Sequence, residues 1–191
     1  MEAENSIIPE SLSHDSAAYC VRGMESRRSW LRRSIWGAIG TSAGVGYYQW
    51  VPPTILPLYF NGRYAYAHDS HPAAVHRVVA VANELVEKPY KLGGGHKVLF
   101  DSAFDCSGSI SYVLYRCQLL DRPLNSSEFI RYGLPGLGIY VTVYVKAGHH
   151  VFMEVCGLRF DTSGSQSGEG PRWRVNGRSR EGFYPRHPAW L

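Results

Sequence analysis

Gly148-His149-His150-Val151-Phe152-Met153-Glu154-Val155-Cys156-Gly157-Leu158-Arg159-Phe160-Asp161 holds two short segments with a break between them. His150 to Val155 is largely apolar, Leu158 to Asp161 continues beyond Cys156-Gly157, and the pair predicts consecutive antiparallel strands joined by a tight turn. Ile139 to Lys146, rich in Val and Tyr, predicts another strand just upstream. Further back the spacing of apolar residues becomes helical. Ser107 to Leu120 repeats through Ile110, Val113, Leu114 and Cys117, and Ala73 to Glu87 through Val75, Val78, Val79, Ala82, Leu85 and Val86, with Arg77, Glu84 and Glu87 on other faces. Helices followed by strands imply an α+β domain, N-terminal helices packed on an antiparallel sheet, over residues 68–191. Downstream, Ser163 to Gly170 reads as a loop, and Phe183-Tyr184 as a short final strand before His187-Pro188. No internal repeat is visible.

The chain has 191 residues, enough for one ordinary domain and an extension. A hydrophobic fraction of 45% with 13% aromatics supplies a real core and excludes global disorder. The formal charge of +4 suits loose contact with anionic polymers and does not call for nucleic acid. Cysteines at 20, 106, 117 and 156 have neither zinc-site spacing nor the density of a disulfide scaffold. Cys117, about three helical turns from Cys106, reads as a buried small hydrophobe. His68, His71, His76, His96 and His187 are not paired with acids or cysteines in a metal-binding pattern, so a metal-free, cofactor-free site is expected. Gly93-Gly94-Gly95-His96-Lys97 lacks the spacing of a phosphate loop and reads as a close-approach turn.

Residues 1–67 read as a leader. Cys20 has no apolar segment before it and carries no lipid-anchor signal. Arg22, Arg27, Arg28, Arg32 and Arg33 face a single acid, Glu25, and Ser34 to Phe60 then carries no charge. Ser26-Arg27-Arg28-Ser29-Trp30-Leu31-Arg32 resembles a twin-arginine export signal, and Ala65-Tyr66-Ala67 offers a small-x-small cleavage site. Alternatively Ser34 to Val51 is an uncleaved membrane anchor, or the segment packs on the domain. The expectation is an exported protein, periplasmic, secreted or anchored facing the cell wall, with membrane contact through Ser34 to Phe60.

Asp105-Cys106-Ser107-Gly108 stands where an irregular segment meets a helix. Unpaired N–H groups and the positive end of the helix dipole favour a thiolate in that first turn. His150 opens an apolar strand after a glycine turn, from which an imidazole can face the helix start and pair with the thiol. Asp161, on the next strand, is placed to hold the imidazole tautomer, since adjacent antiparallel strands bring residues about 5 Å apart. Each residue also has an ordinary explanation: a buried cysteine, histidines in an exposed turn, and a solvated strand end.

The combination resembles a known family in several places and in the right order. Pro89-Tyr90-Lys91-Leu92-Gly93-Gly94, Asp105-Cys106-Ser107-Gly108, Gly148 with His150-Val151, and Phe160-Asp161 look like the NlpC-type, papain-like cysteine peptidases of bacterial walls, over roughly residues 75 to 165. The resemblance implies Cys106 as nucleophile, His150 as base and later acid, and Asp161 in a third polar position that is often histidine in the family. It implies that Tyr90, Asp105 and Ser107 shape the pocket for the free amino end of a peptide stem. The substrate implied is the peptidoglycan peptide stem, cut after D-glutamate toward a diamino acid. His149 is an alternative base, although only one of two successive strand residues can point inward. Another amidase or acyltransferase on the same scaffold, or a catalytically silent envelope-binding protein, remains open. Arg172, Trp173, Arg174, Arg178, Arg180 and Arg186 read as a basic tail, either binding anionic wall polymers or forming a solvated face. Oligomeric state is not legible.

Overall fold

The computed structural model describes residues 55–163 and 169–191. Cys20, the arginine-rich run, the uncharged stretch as far as Thr54 and most of the loop expected over 163–170 lie outside the described residues. Among the described residues, no helix is long and apolar enough to cross a membrane.

The α+β class is observed. After a small hairpin, β1 (Tyr59–Phe60) with β2 (Ala65–Tyr66), come α1 (Ala73–Asn83) and α2 (Cys106–Arg116). A 3-10 turn at Glu128–Arg131 leads into β3 (Leu134–Pro135), β4 (Val141–Lys146), β5 (His150–Val155), β6 (Leu158–Asp161), β7 (Arg172–Arg174) and β8 (Tyr184–His187). The last six strands form one antiparallel sheet in the order β3-β8-β4-β5-β6-β7.

β4, β5 and β6 form the meander that the sequence predicts. Cys156 and Gly157 turn the chain between β5 and β6 with φ of 47° and 83°, the positive pair that a two-residue hairpin of matching twist needs. Alternation along the strands then separates the two faces of the sheet. Val141, Val143 and Val145 lie across from Val155, Met153 and Val151, all fully buried, and α2 packs on β5 there. On the other face Tyr144 stacks on Phe152 with centroids 4.9 Å apart, and Phe183 meets Phe152 edge-on.

Both helices stop earlier than their apolar spacing suggests. Beyond Asn83 the N–H groups of Glu84, Leu85 and Val86 bond to carbonyls three residues back, a tightened last turn that still buries Leu85 and Val86. The Asn83 side chain meanwhile accepts from the Ala65 N–H and the Trp173 indole and donates to the Ala65 carbonyl. α2 ends in a Schellman motif: Gln118 N–H bonds to Tyr115 O and Leu119 N–H to Leu114 O, with Gln118 in the left-handed region at φ 58°. A glutamine there gives no stop signal in the sequence.

Two further readings are corrected. The arginine-rich C-terminal segment is not a solvated tail: Trp173 is buried in β7, and Arg172, Arg174, Arg178, Arg180 and Arg186 each bond to groups of the domain. The last strand is not confined to Phe183-Tyr184: β8 spans Tyr184–His187 and lies between β3 and β4. Ahead of His68, where the domain was expected to begin, Leu58 and Ala65 are buried and α1 packs against β2.

Candidate active site

Cys106 is the first residue of α2, and Asp105 caps it by accepting from the Gly108 N–H at 2.7 Å. A neighbouring loop is pressed against this helix start. Phe104 N–H bonds to Pro89 O and Lys91 N–H to Phe104 O, which lays Tyr90 alongside Phe104. The glycine run is the close-approach turn expected: a Cβ on Gly94 would strike the Ala103 carbonyl, and one on Gly108 would strike the carbonyl of Gly94.

Tyr90 is thereby brought close to Cys106, while Asp105 and Ser107 flank it along the chain. Burial, then the neighbouring Cys106 and Asp105, push the Tyr90 phenol above its ordinary pKa. Asp105 and Ser107 are themselves buried and turned toward His96, a residue to which the sequence assigned no role. His96 Nε2 lies 3.0 Å and 3.2 Å from the two Asp105 oxygens and 3.2 Å from Ser107 Oγ. The Gly93 N–H donates to Asp105 as well, at 2.9 Å. Hydrogen bonding to Asp105 outweighs burial and raises the His96 pKa. Burial alone would raise the Asp105 pKa, but His96 and the Gly108 N–H bring it below the usual carboxylate value.

His150 and Asp161 close the other side. His150 Nε2 is 2.8 Å from Asp161 Oδ1. The two are not directly opposed, as the sequence suggested. Met153 pairs with Phe160, so one further step sets Phe152 beside Asp161 and leaves His150 diagonal to it on the same face. The side chains cover the remaining distance. His149 is exposed in the turn before β5, with its N–H bonded to Lys146 O. With Nε2 committed to Asp161, the other ring nitrogen of His150 is the one left for Cys106. Burial depresses the His150 pKa, but the Asp161 hydrogen bond and the interaction with Cys106 prevail and hold it at about 9. The Asp161 side chain is 0% exposed and that of His150 16%.

Asp161 holds more than the imidazole. Ser163 donates to it from its backbone N–H and hydroxyl, both at 2.9 Å, while Arg159 and Arg178 approach Oδ2 at 3.2 Å and 2.8 Å. Burial works against its charge, yet these donors, His150 foremost, bring its pKa below the ordinary value. Arg159 is visible two residues away on the same strand face. Arg178 is not, because it arrives from the segment after β7. Cys117 and Cys156 are buried, and burial lifts the Cys156 thiol to about 11. Among the described residues no three His, Cys, Asp or Glu side chains are grouped to hold a metal ion.

No protein-family model matches the chain, and no curated protein sequence is similar to it.

Proposed function

We propose that the protein is a cysteine-type amide hydrolase. The observation that carries this reading is the grouping of Cys106, His150 and Asp161: a thiol at a helix start, an imidazole near enough for the thiol to help raise its pKa, and a buried carboxylate on that ring's Nε2. In such an arrangement Cys106 attacks the scissile carbonyl, His150 protonates the leaving amine, and water releases the acyl enzyme. N–H groups of the first turn of α2 stabilise the oxyanion. Asp161 fixes the ring's tautomer and supports its positive charge.

Within that class we propose an NlpC-type, papain-like peptidase acting on peptide stems of the bacterial wall, at the bond after D-glutamate toward a diamino acid. The support is the resemblance around Tyr90, Asp105-Cys106-Ser107-Gly108, His150-Val151 and Asp161. With it goes export from the cytoplasm, which rests on the arginine-rich leader. A second reading, another amidase or acyltransferase using the same three residues, gains weight from His96. That ring occupies both oxygens of Asp105, the carboxylate otherwise assigned to the free ammonium of a stem.

The test is mass spectrometry of purified muropeptides incubated with the full chain and with Cys106→Ala. New stem fragments from the active form alone would support the endopeptidase and name its bond. No cleavage by a folded wild-type protein would count against a stem peptidase and move weight to a different acyl donor or a silent envelope-binding role.

A further inference from the structure

A buried aspartate that only had to orient a histidine would need one or two donors. Asp161 has five: His150 Nε2, the Ser163 N–H, Ser163 Oγ, Arg159 and Arg178. Arg178 differs from the others because no strand pairing brings it there. Its guanidinium lies 5.2 Å from the centroids of both the Phe152 and Phe183 rings, and the same Nη1 that reaches Asp161 also donates to Ser163 Oγ. Phe183 in turn sets its ring edge-on to His150, with centroids 6.3 Å apart. A planar cation packed against two aromatic rings that also touch each other is held in direction as well as position. The segment 176–183 is thus fastened onto the acid and the base of the site together.

We infer that Arg178 is a positioning residue: it fixes the Asp161 carboxylate so that the acid holds His150 Nε2–H and leaves the other ring nitrogen facing Cys106. The inference rests on the proposed Cys106–His150 chemistry. The mechanism is geometric. A carboxylate free to rotate about χ2 offers the ring two poorly aligned acceptors, whereas Arg178, Arg159 and the Ser163 hydroxyl hold Oδ2 and leave Oδ1 to the imidazole and the Ser163 N–H. Other charged or titratable groups also surround His150. Cys106 faces it from α2, Lys146 lies across from it on β4, and Arg159 is on β6. Glu154, on its own strand, is taken up by Arg180. None of these packs against Phe152 and Phe183 together as Arg178 does.

The experiment compares full-length wild type with Arg178→Met, Arg178→Gln and Arg178→Lys in two readouts. One is the rate of Cys106 alkylation by iodoacetamide between pH 6 and 8, read by mass spectrometry with Cys117 and Cys156 as internal references. The other is the downfield His150 ring N–H proton resonance, assigned by its absence from His150→Gln. In wild type the resonance is present and Cys106 outpaces the two buried thiols. Arg178→Met broadens the resonance away and slows alkylation about tenfold. Arg178→Lys restores both in part, which a merely structural role would not require. Arg178→Gln keeps a donor and most of the volume and carries the test if the Met form does not fold; its loss should lie between those of Met and Lys. Wild-type resonance and rate in folded Arg178→Met or Arg178→Gln would overturn the inference. A wild-type Cys106 that alkylates no faster than an ordinary exposed thiol would instead overturn the nucleophile reading, while the ring N–H still reports whether Arg178 governs His150.

Discussion

Two histidine–aspartate pairs flank Cys106, and their contacts look alike: His150 Nε2 to Asp161 at 2.8 Å and His96 Nε2 to Asp105 at 3.0 Å. What else each carboxylate holds separates them. Asp161 is enclosed by side chains of two strands and a distant loop, with two guanidiniums behind it, and its histidine interacts with the thiol. Asp105 spends its oxygens on the backbone N–H groups of Gly93 and Gly108, so it joins a loop to a helix start, and its histidine turns toward Ser107. The same two residue types meet in a side-chain cluster beside the thiol in one place and in a helix cap in the other. Their surroundings assign the work.

The largest effect that can break this comparison is on turnover. Removing the base should cost about 10³-fold or more in kcat, so His150→Ala should approach Cys106→Ala, whereas His96→Ala should retain activity within about tenfold. Initial rates of stem cleavage for the three variants, each checked for folding, decide the matter. If His96→Ala is the inactive form and His150→Ala is not, the roles assigned to the two pairs are exchanged.

Next in size is the cost of emptying the buried acid site. Asp161→Ala would leave Arg159 and Arg178 without their shared anion, at a position where the carboxylate itself is fully buried, and should destabilise the domain by about 3 kcal/mol. Urea unfolding measures it. A loss below about 1 kcal/mol would mean that the guanidiniums find other partners and that the cluster is looser than its geometry indicates.

The pairing also predicts a pH dependence of smaller size. The His150 pKa in the fold, about 9, lies above the ordinary 6.5. Its charged form is therefore stabilised by folding; that stability is complete below about pH 6.5 and is lost as pH rises through 9. Asp161, with its pKa lowered, contributes in the opposite sense: its share is present above the ordinary value of 3.8 and is lost as pH falls through the depressed one. Between pH 6 and pH 9.5, wild type should lose on the order of 2 kcal/mol more unfolding free energy than His150→Gln does. Equal slopes for the two proteins would place the stabilising charge elsewhere.

The unequal legibility of the two pairs has a physical cause. His150 and Asp161 sit on strands whose alternation is written in Val151, Met153, Val155 and Phe160, so their face and neighbourhood follow from a period of two. The turn at Cys156-Gly157 was readable for the same local reason. His96 occupies a glycine-rich loop with no period, and it reaches Asp105 only because Gly94 and Gly108 let two backbones touch. Arg178 is harder still. It stands among arginines that by composition suggest a solvated surface, and only the buried Trp173 of β7 ties that segment down. The insertion of β8 between β3 and β4 is a long-range pairing that no local pattern encodes. Local periodicity therefore placed Cys106, His150 and Asp161 on their elements, and the family resemblance singled them out, while the residues around them depend on tertiary contacts.

The smallest effect tests what Asp105 is for. If its main work is to cap α2, Asp105→Asn should cost less than Asp105→Ala, since an asparagine side-chain oxygen still accepts the Gly108 N–H although its amide nitrogen then faces the Gly93 N–H. Asp105→Ala, which leaves that N–H and the Gly93 N–H without their acceptor, should cost about 1 kcal/mol. If instead the carboxylate is kept for its charge beside His96, the Asn and Ala variants should lose similar amounts, and the His96 pKa, raised chiefly by its bond to Asp105, should fall in both. Thermal or urea unfolding of the two variants, with histidine titration followed by NMR, separates these outcomes. A clearly larger cost in Ala than in Asn would support Asp105 as the cap at the start of α2, with its charge beside His96 secondary.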